Sequence, residues 1–270
     1  MLEVSTIKRI KTMNKETSKE PGNEIFVAIS SQKGGIGKST LTTLLANYLH
    51  NVAGYNVGVL DCDHPQHSIY LERVRELELI EHDDELKAQA CDVFRKTGKK
   101  AFVITDTNPV DALDQAEVMT EDEDLDIVFF DLPGTINSNG VLKTLSQMDY
   151  IFVPVSADPF VIDCALQFVE LFRDKLMTTG KARTKEIVLF WTMADRRERT
   201  EIYDMYDKVI PEMGFHILNT RLPNSVRFRR ELTDSQKAVF RSTLFPPDAA
   251  LLKGSNIKEL AEEFISTINQ

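Results

Sequence analysis

Seven short runs rich in β-branched and aromatic residues punctuate the chain: Ile25–Ser30, Asn56–Asp61, Ala101–Thr105, Asp126–Asp131, Tyr150–Val155, Glu186–Met193 and Phe215–Leu218. Most are near-continuously apolar rather than alternating. Strands of that kind are buried on both faces, so they belong in a parallel sheet covered by helices. Between the runs lie helical patterns. Thr40–His50 places Leu41, Leu44, Leu45, Tyr48 and Leu49 on one side, and Phe160–Met177 and Glu201–Met213 behave similarly. Strand alternating with helix predicts an α/β fold with a doubly wound, mostly parallel sheet flanked by helices. No internal repeat competes with that reading. At 270 residues and 42% hydrophobic content the chain can bury a sizeable core without staples. The expected organisation is one domain over 23–270, preceded by a flexible arm over 1–22 that ends at Pro21-Gly22. The arm carries charges but no apolar core of a signal peptide, and the longest near-apolar run, Ile187 to Ala194, is far short of a bilayer span. Both features point to a cytoplasmic protein that does not enter membranes.

The first apolar run leads into Lys33-Gly34-Gly35-Ile36-Gly37-Lys38-Ser39-Thr40, and a helical pattern follows at once. Glycines let successive backbone N–H groups turn towards phosphate oxygens without a Cβ clash. The helix adds its unpaired N-terminal N–H groups and the positive end of its dipole. Lys38 can reach the β- and γ-phosphates, and the Ser39 hydroxyl can coordinate Mg²⁺. The general phosphate-loop pattern G-x-x-x-x-G-K-[ST] fits at Gly37-Lys38-Ser39 but has Gln32 at its first position. The loop is therefore the deviant form, with an extra lysine at its start.

Asp61 and Asp131 each end an apolar run. Ligands of open α/β sheets lie beyond the carboxyl ends of the strands, so both acids are expected to converge on the phosphates. Cys62, His64 and His67 crowd the same segment, but no second ligand pair at metal spacing exists elsewhere, and Cys62, Cys91 and Cys164 read as reduced thiols. Charge is unevenly spread. The chain carries 32 Lys+Arg against 42 Asp+Glu, and ten acids without a base lie between Asp106 and Asp131. Between Arg221 and Arg241 six bases face two acids. A local patch of that kind can engage a polyanion despite a net charge of −10.

The phosphate loop resembles the deviant Walker A motif of the ParA/MinD group of ATPases, and the likeness extends over about residues 24 to 268. The stretches DCDHPQHSI, FFDLPGTINSNGVLKTLS and AVFRSTLFPPD are most like the ParA-related TraA proteins of bacterial conjugative elements. The resemblance implies a P-loop NTPase that binds ATP and Mg²⁺ through Lys33, Gly34, Gly35, Ile36, Gly37, Lys38, Ser39 and Thr40. In it Lys33 crosses a homodimer interface to the partner's nucleotide. Asp131 resembles a Walker B acid, and Asp61 and Asp63 resemble the D-x-D-P-Q switch, in which the second acid orients the attacking water and the first sits near the metal. Here His64 stands between Asp63 and Pro65. Met193 and Pro223 fall where ParA proteins contact adenine. The metal set implied is Ser39, Asp61 and Asp131, and the catalytic set is Lys33, Lys38 and Asp63.

ParA-like dimers bind DNA without sequence preference through basic residues near the C-terminus. Arg221, Arg227, Arg229 and Arg230 are the candidates here, and Arg196, Arg197 and Arg199 form a second cluster. The competing reading is a solvated face or intramolecular pairs. Phe228, inside the patch, reads as a core anchor. The resemblance further implies an activating partner of ParB or transfer-protein type, a role in partition or conjugative transfer, and association with the nucleoid when DNA-bound. Asn256–Ile268 is amphipathic but acidic on its polar face, so it is expected to pack on the domain and not on a membrane. Two other classes share the loop. An Fe–S-carrying ATPase needs thiols placed to bridge two subunits, and the segment after Asp131 has none. A metabolic kinase has no use for Lys33.

Overall fold

The computed structural model describes residues 24–136, 138–195, 200–233 and 238–270. The arm over 1–22 and the cluster Arg196, Arg197 and Arg199 lie outside the described residues.

The apolar runs form the strands β1 (Ile25–Ile29), β2 (Val57–Asp61), β3 (Val103–Asp106), β4 (Ile127–Asp131), β5 (Tyr150–Val155), β6 (Glu186–Ala194) and β7 (His216–Pro223). They pair in one sheet of order β3-β2-β4-β1-β5-β6-β7, every pairing parallel. The expected doubly wound α/β fold is what forms. The connecting helices are α1 (Lys38–Asn47), α2 (Ser68–His82), α3 (Asp84–Thr97), α4 (Ala112–Asp122), α5 (Val141–Leu145), α6 (Pro159–Phe172), α7 (Thr200–Glu212), α8 (Ala249–Leu252) and α9 (Ile257–Ile268). Helices α1 and α6 each run on into a π-helical turn, Tyr48–Ala53 and Arg173–Met177.

Continuous apolar strands are needed because both faces are covered. Phe26 and Ala28 of β1 join the core on the α4–α7 side, which also holds Ala116, Phe168, Phe172 and Ile210. Val27 and Ile29, one residue out of phase, face α1 and α9, against Leu44, Leu45, Leu260 and Phe264. The period of two thus sends alternate side chains into two separate cores. Ile257, Leu260, Ala261, Phe264 and Ile268 of α9 are all buried, so this helix packs on the sheet as its sequence predicts. Among the described residues no helix is long and apolar enough to cross a membrane.

A third, smaller cluster joins α3 to the segment after β7, through Leu86, Ala90, Leu232, Val239, Leu244 and Phe245. Residues 238–248 form no helix or strand, yet Phe240, Ser242 and Thr243 are fully buried. Polar anchors hold this strap. The Asn47 amide donates to the carbonyls of Ser242 and Phe245, Arg73 donates to Thr243, and Thr243 donates to Glu76.

Because all strands run the same way, the ends of β1, β2, β4, β6 and β7 share one edge. The chain takes β2–β4 to one side of β1 and β5–β7 to the other. The reversal places a crevice at the end of β1, where ligands bind in sheets of this kind.

Candidate functional site

The loop from Ser30 to Gly37 leaves β1 at that crevice. Gly35 and Gly37 hold φ of 77° and 89°, a left-handed conformation that a side chain disfavours. A Cβ at Gly34, Gly35 or Gly37 would meet nothing within 4 Å, so conformation and access, not crowding, require glycine here. Gly37 is also the N-cap of α1. It supplies no capping side chain, and the first turn contains no acid. A helix start normally recruits one or the other. Here it carries Lys38, a cation at the positive end of the dipole, which is favourable only when an anion is shared between them.

Asp61 and Asp131 are register partners at the ends of β2 and β4, but their environments differ. Asp61 Oδ2 accepts from the backbone N–H groups of Ile69 and Tyr70 at 2.8 and 3.0 Å, and Oδ1 from Asp63 N–H at 3.4 Å. It caps the start of α2, whose own N-cap residue, His67, provides no side-chain bond. Burial pushes its pKa up, and those three amide bonds and His67 pull it back. Asp61, expected in the metal set, thus gives three of its acceptor sites to the backbone of the switch segment.

Asp131 is fully buried and neither of its oxygens makes a hydrogen bond of full geometry. Its pKa is pushed up to about 7 by burial, with Asp61 and Asp63 adding to the rise while Ser39 and Lys38 oppose it. An unpartnered buried carboxylate costs free energy unless something neutralises it. The donor set of a carboxylate, a neighbouring serine hydroxyl and phosphate oxygens suits Mg²⁺, a hard cation that takes few protein ligands. The residues present fit that ion.

After β4 the chain passes over the loop so closely that a Cβ on Gly134 would lie 3.0 Å from Lys38 Nζ. Asp63 is half-buried, two residues beyond the end of β2. The inserted His64 faces His67, with 3.1 Å between Nδ1 and Nε2, and His67 Nδ1 lies 3.1 Å from the carbonyl of Asp61. Among the described residues no three His, Cys, Asp or Glu side chains gather as a metal cluster, and all three cysteines are free. Lys33 Nζ sits 3.7 Å above the ring centre of Phe160, a side chain 61% exposed at the start of α6.

Met193 and Pro223 lie at the ends of β6 and β7, on the same sheet edge as the loop. Met193 has φ of 55° and falls within a register slip between Trp191 and Ala194, and Pro223 pairs with Ala194. Strand β7 runs on through Pro223, five residues beyond the expected end at Leu218.

That extension changes the reading of the arginines. Arg221 lies within β7, donates to Asp207 at 2.6 Å, approaches Asp204 at 3.6 Å and covers the Tyr203 ring. Arg227 donates to the carbonyls of Leu251 and Lys253, each at 2.8 Å. Of the four candidates only Arg229 and Arg230 are exposed. Phe228 stacks on Phe240 with 5.5 Å between ring centres, an anchor as expected. The intramolecular-pair reading describes Arg221 and Arg227 in this structure.

Sequence reasoning missed the buried charges behind the loop. Glu72 and Glu76 of α2 are 3% and 2% exposed. Burial pushes Glu72 up to about 7, against the pull of Arg241, and draws Arg73 down to about 10. The signal available was Arg241 itself, a lone cation inside the otherwise uncharged run Val239-Phe240-Arg241-Ser242-Thr243-Leu244-Phe245.

Solved structures similar to this chain share its fold. A plasmid partition protein from Borrelia burgdorferi is 15% identical with a TM-score of 0.56, covering 91% of this chain and 99% of its own. The MinC:MinD cell division protein complex of Aquifex aeolicus matches at 15% identity and TM-score 0.56, with 90% and 96% covered. A Cyanothece McdA variant in complex with ATP matches at 14% identity and TM-score 0.55, with 90% and 97% covered. No curated protein sequence matches the chain. The ParA family model, described as NUBPL iron-transfer P-loop NTPase, matches residues 23–167. That span is more than half of the chain and holds the phosphate loop, both strand-end aspartates and Lys33, so the protein belongs to the ParA family of P-loop NTPases.

Proposed function

We propose that this protein is a Mg²⁺-dependent ATPase that works as a dimerisation switch, binds DNA without sequence preference in its ATP form, and serves partition or conjugative transfer of a mobile element. The observation that carries the reading is the pairing of an uncapped, glycine-built helix start bearing Lys38 with the unpartnered carboxylate of Asp131. Both deficits are met at once by a nucleotide phosphate chain with its metal. The ATP complex of the structurally similar McdA variant accords with that.

In this reading Lys38 and the loop amides from Gly34 to Thr40 hold the phosphates, and Met193 and Pro223 flank the base. Ser39 and Asp131 hold Mg²⁺, which when bound neutralises charge on the β- and γ-phosphate oxygens. Asp63, just beyond the end of β2, orients the attacking water and accepts its proton. Asp61 keeps the switch segment in register by capping α2. Lys33 leaves Phe160 and reaches the nucleotide of a second copy, which makes dimerisation depend on the γ-phosphate. Arg229 and Arg230 contact DNA phosphates, and a partner protein of ParB or transfer-protein type stimulates hydrolysis. The protein then resides in the cytoplasm, on the nucleoid while DNA-bound.

Light scattering with ATP, with ADP and without nucleotide, repeated with duplex DNA, tests the proposal. A dimer with ATP alone, retained on DNA, is expected. A monomer under saturating ATP and Mg²⁺ overturns it.

A further inference from the structure

Arg241 lies on the strap after β7, far in sequence from the phosphate loop, yet it touches that loop. Its Nη1 donates to Thr40 Oγ1 at 2.8 Å. Its Nε donates to Glu72 at 3.3 Å, and its Nη2 donates to Glu231. The side chain is only 16% exposed. One guanidinium thus joins α1, α2 and the chain leaving β7.

We infer that Arg241 is a positioning residue for the nucleotide: it fixes the Thr40 hydroxyl so that the hydroxyl proton is offered to the phosphates held at the start of α1. Four observations converge on this, and the inference rests on the nucleotide-binding reading above. An arginine has donors only, so Thr40 Oγ1 is the acceptor in their bond and its own proton must go elsewhere. Among the described residues nothing takes that proton. Thr43, one turn on, shows the contrast, since its hydroxyl donates back to the Ser39 carbonyl at 3.0 Å. Thr40 occupies the first turn of α1 beside Ser39, where the backbone N–H groups have no side-chain cap. A half-exposed hydroxyl donor there faces the same anion as those amides.

The arginine is also held rigidly. The carboxyl groups of Glu72 and Glu231 hold two of its nitrogens, and the strap that carries it is pinned to α1 through Asn47 and to α2 through Arg73 and Glu76. A side chain preorganised in this way spends little entropy when the ligand arrives. A hydroxyl that accepts from a cation becomes a stronger donor, so the bond to Arg241 strengthens the one Thr40 makes. Ion pairing with Glu72 and Glu231 alone would leave Nη1 without a task, and the structure spends it on the loop.

In the reading above the start of α1 holds phosphates that ATP and ADP share, whereas Lys33 answers to the γ-phosphate. Arg241 therefore sets affinity for both nucleotides equally and does not discriminate between them. The test is a double-mutant cycle on Mg·ATP and Mg·ADP affinities, measured calorimetrically for wild type, Arg241→Met, Thr40→Val and the double variant. Each single substitution is expected to weaken both nucleotides by about tenfold. The double variant is expected to bind no worse than either single one, since both remove the same contact. Thr40→Ser, which keeps the hydroxyl, restores affinity. Additive losses in the double variant, or a loss confined to ATP, overturn the inference, because a purely structural Arg241 acts independently of Thr40. If Arg241→Met does not fold, Arg241→Lys completes the cycle with the same expected non-additivity. Wild-type protein that binds neither nucleotide defeats the proposed function itself. Wild-type binding with additive substitutions defeats the Arg241 role alone.

Discussion

The phosphate loop and the basic stretch after β7 looked alike as sequence: each is a dense run of one chemistry on an α/β scaffold. In three dimensions they are opposites. The loop turns its functional groups outward. Its glycines have open space before them, its helix start is uncapped, and Lys38 has no carboxylate of ordinary salt-bridge geometry among the described residues. The basic stretch turns three of its described groups inward, with Arg221 on Asp207, Arg227 on two carbonyls and Arg241 on Glu72 and Glu231. Cations that already have partners are structural, and those without are offered to a ligand. Charge density in a sequence does not tell the two apart; the partners do.

The sharpest way to break that comparison is at Lys38. If outward-facing groups bind the nucleotide, Lys38→Ala loses ATP affinity by a hundredfold or more, on the order of 3 kcal/mol, with no loss of thermal stability. Retained affinity by calorimetry would place the nucleotide elsewhere. Next in size is Asp131→Asn. Burial pushes the Asp131 carboxyl up to about 7 from its ordinary 3.8. Between those values the folded protein holds a proton that the unfolded chain has released. Stability of the nucleotide-free protein therefore falls as pH rises across that window and is flat above it. Mg²⁺ needs the ionised form, so its affinity rises with pH up to about 7 and then levels off. Asparagine removes both slopes and raises the melting temperature of the nucleotide-free protein at alkaline pH by several degrees. Unchanged Mg²⁺ dependence in a titration would count against the assignment.

The arginines give the comparison its internal control. Arg221→Glu faces Asp207 and Asp204 with a like charge and should cost about 1–3 kcal/mol of stability, read by urea denaturation. Arg229→Glu with Arg230→Glu should leave stability within about 0.5 kcal/mol but weaken duplex DNA binding by the ATP form about tenfold and flatten its salt dependence. If the exposed pair destabilises the protein and the tied one does not, the division by partners is wrong.

How much was legible follows from the range of each interaction. The strands were readable because burial on both faces writes itself into consecutive residues. The loop was readable because its chemistry lies in the backbone over eight positions. Asp131 was readable as a strand-end acid, but that Asp61 beside it caps α2 depends on the amides of Ile69 and Tyr70, which only the turn through His64 and His67 brings round. The end of β7 was misjudged because Asn219, Arg221 and Pro223 break the apolar run, although the strand continues to pair with β6 through Arg221 and Pro223. Least legible was the ionic strap. Arg241 meets Glu72 from 169 positions away and Thr40 from 201 away. No local pattern carries a contact of that separation.

The smallest expected effect tests the boundary case, Lys33, which faces outward yet has a partner. Its ammonium rests on the Phe160 ring, and a contact of this kind at an exposed site contributes about 0.5–1 kcal/mol. If Lys33 must leave that ring to reach a second copy, the contact stabilises the monomer and opposes the dimer. Phe160→Ala then tightens ATP-dependent dimerisation by about two- to fivefold in sedimentation equilibrium, while nucleotide affinity of the monomer stays the same. Lys33→Ala abolishes the ATP-dependent dimer and removes the effect of Phe160→Ala with it. A weaker dimer in Phe160→Ala would instead make the ring part of the interface. In that case Lys33 would belong with the inward-tied cations, and the division between loop and basic stretch would need a third class, a cation whose partner changes with the nucleotide.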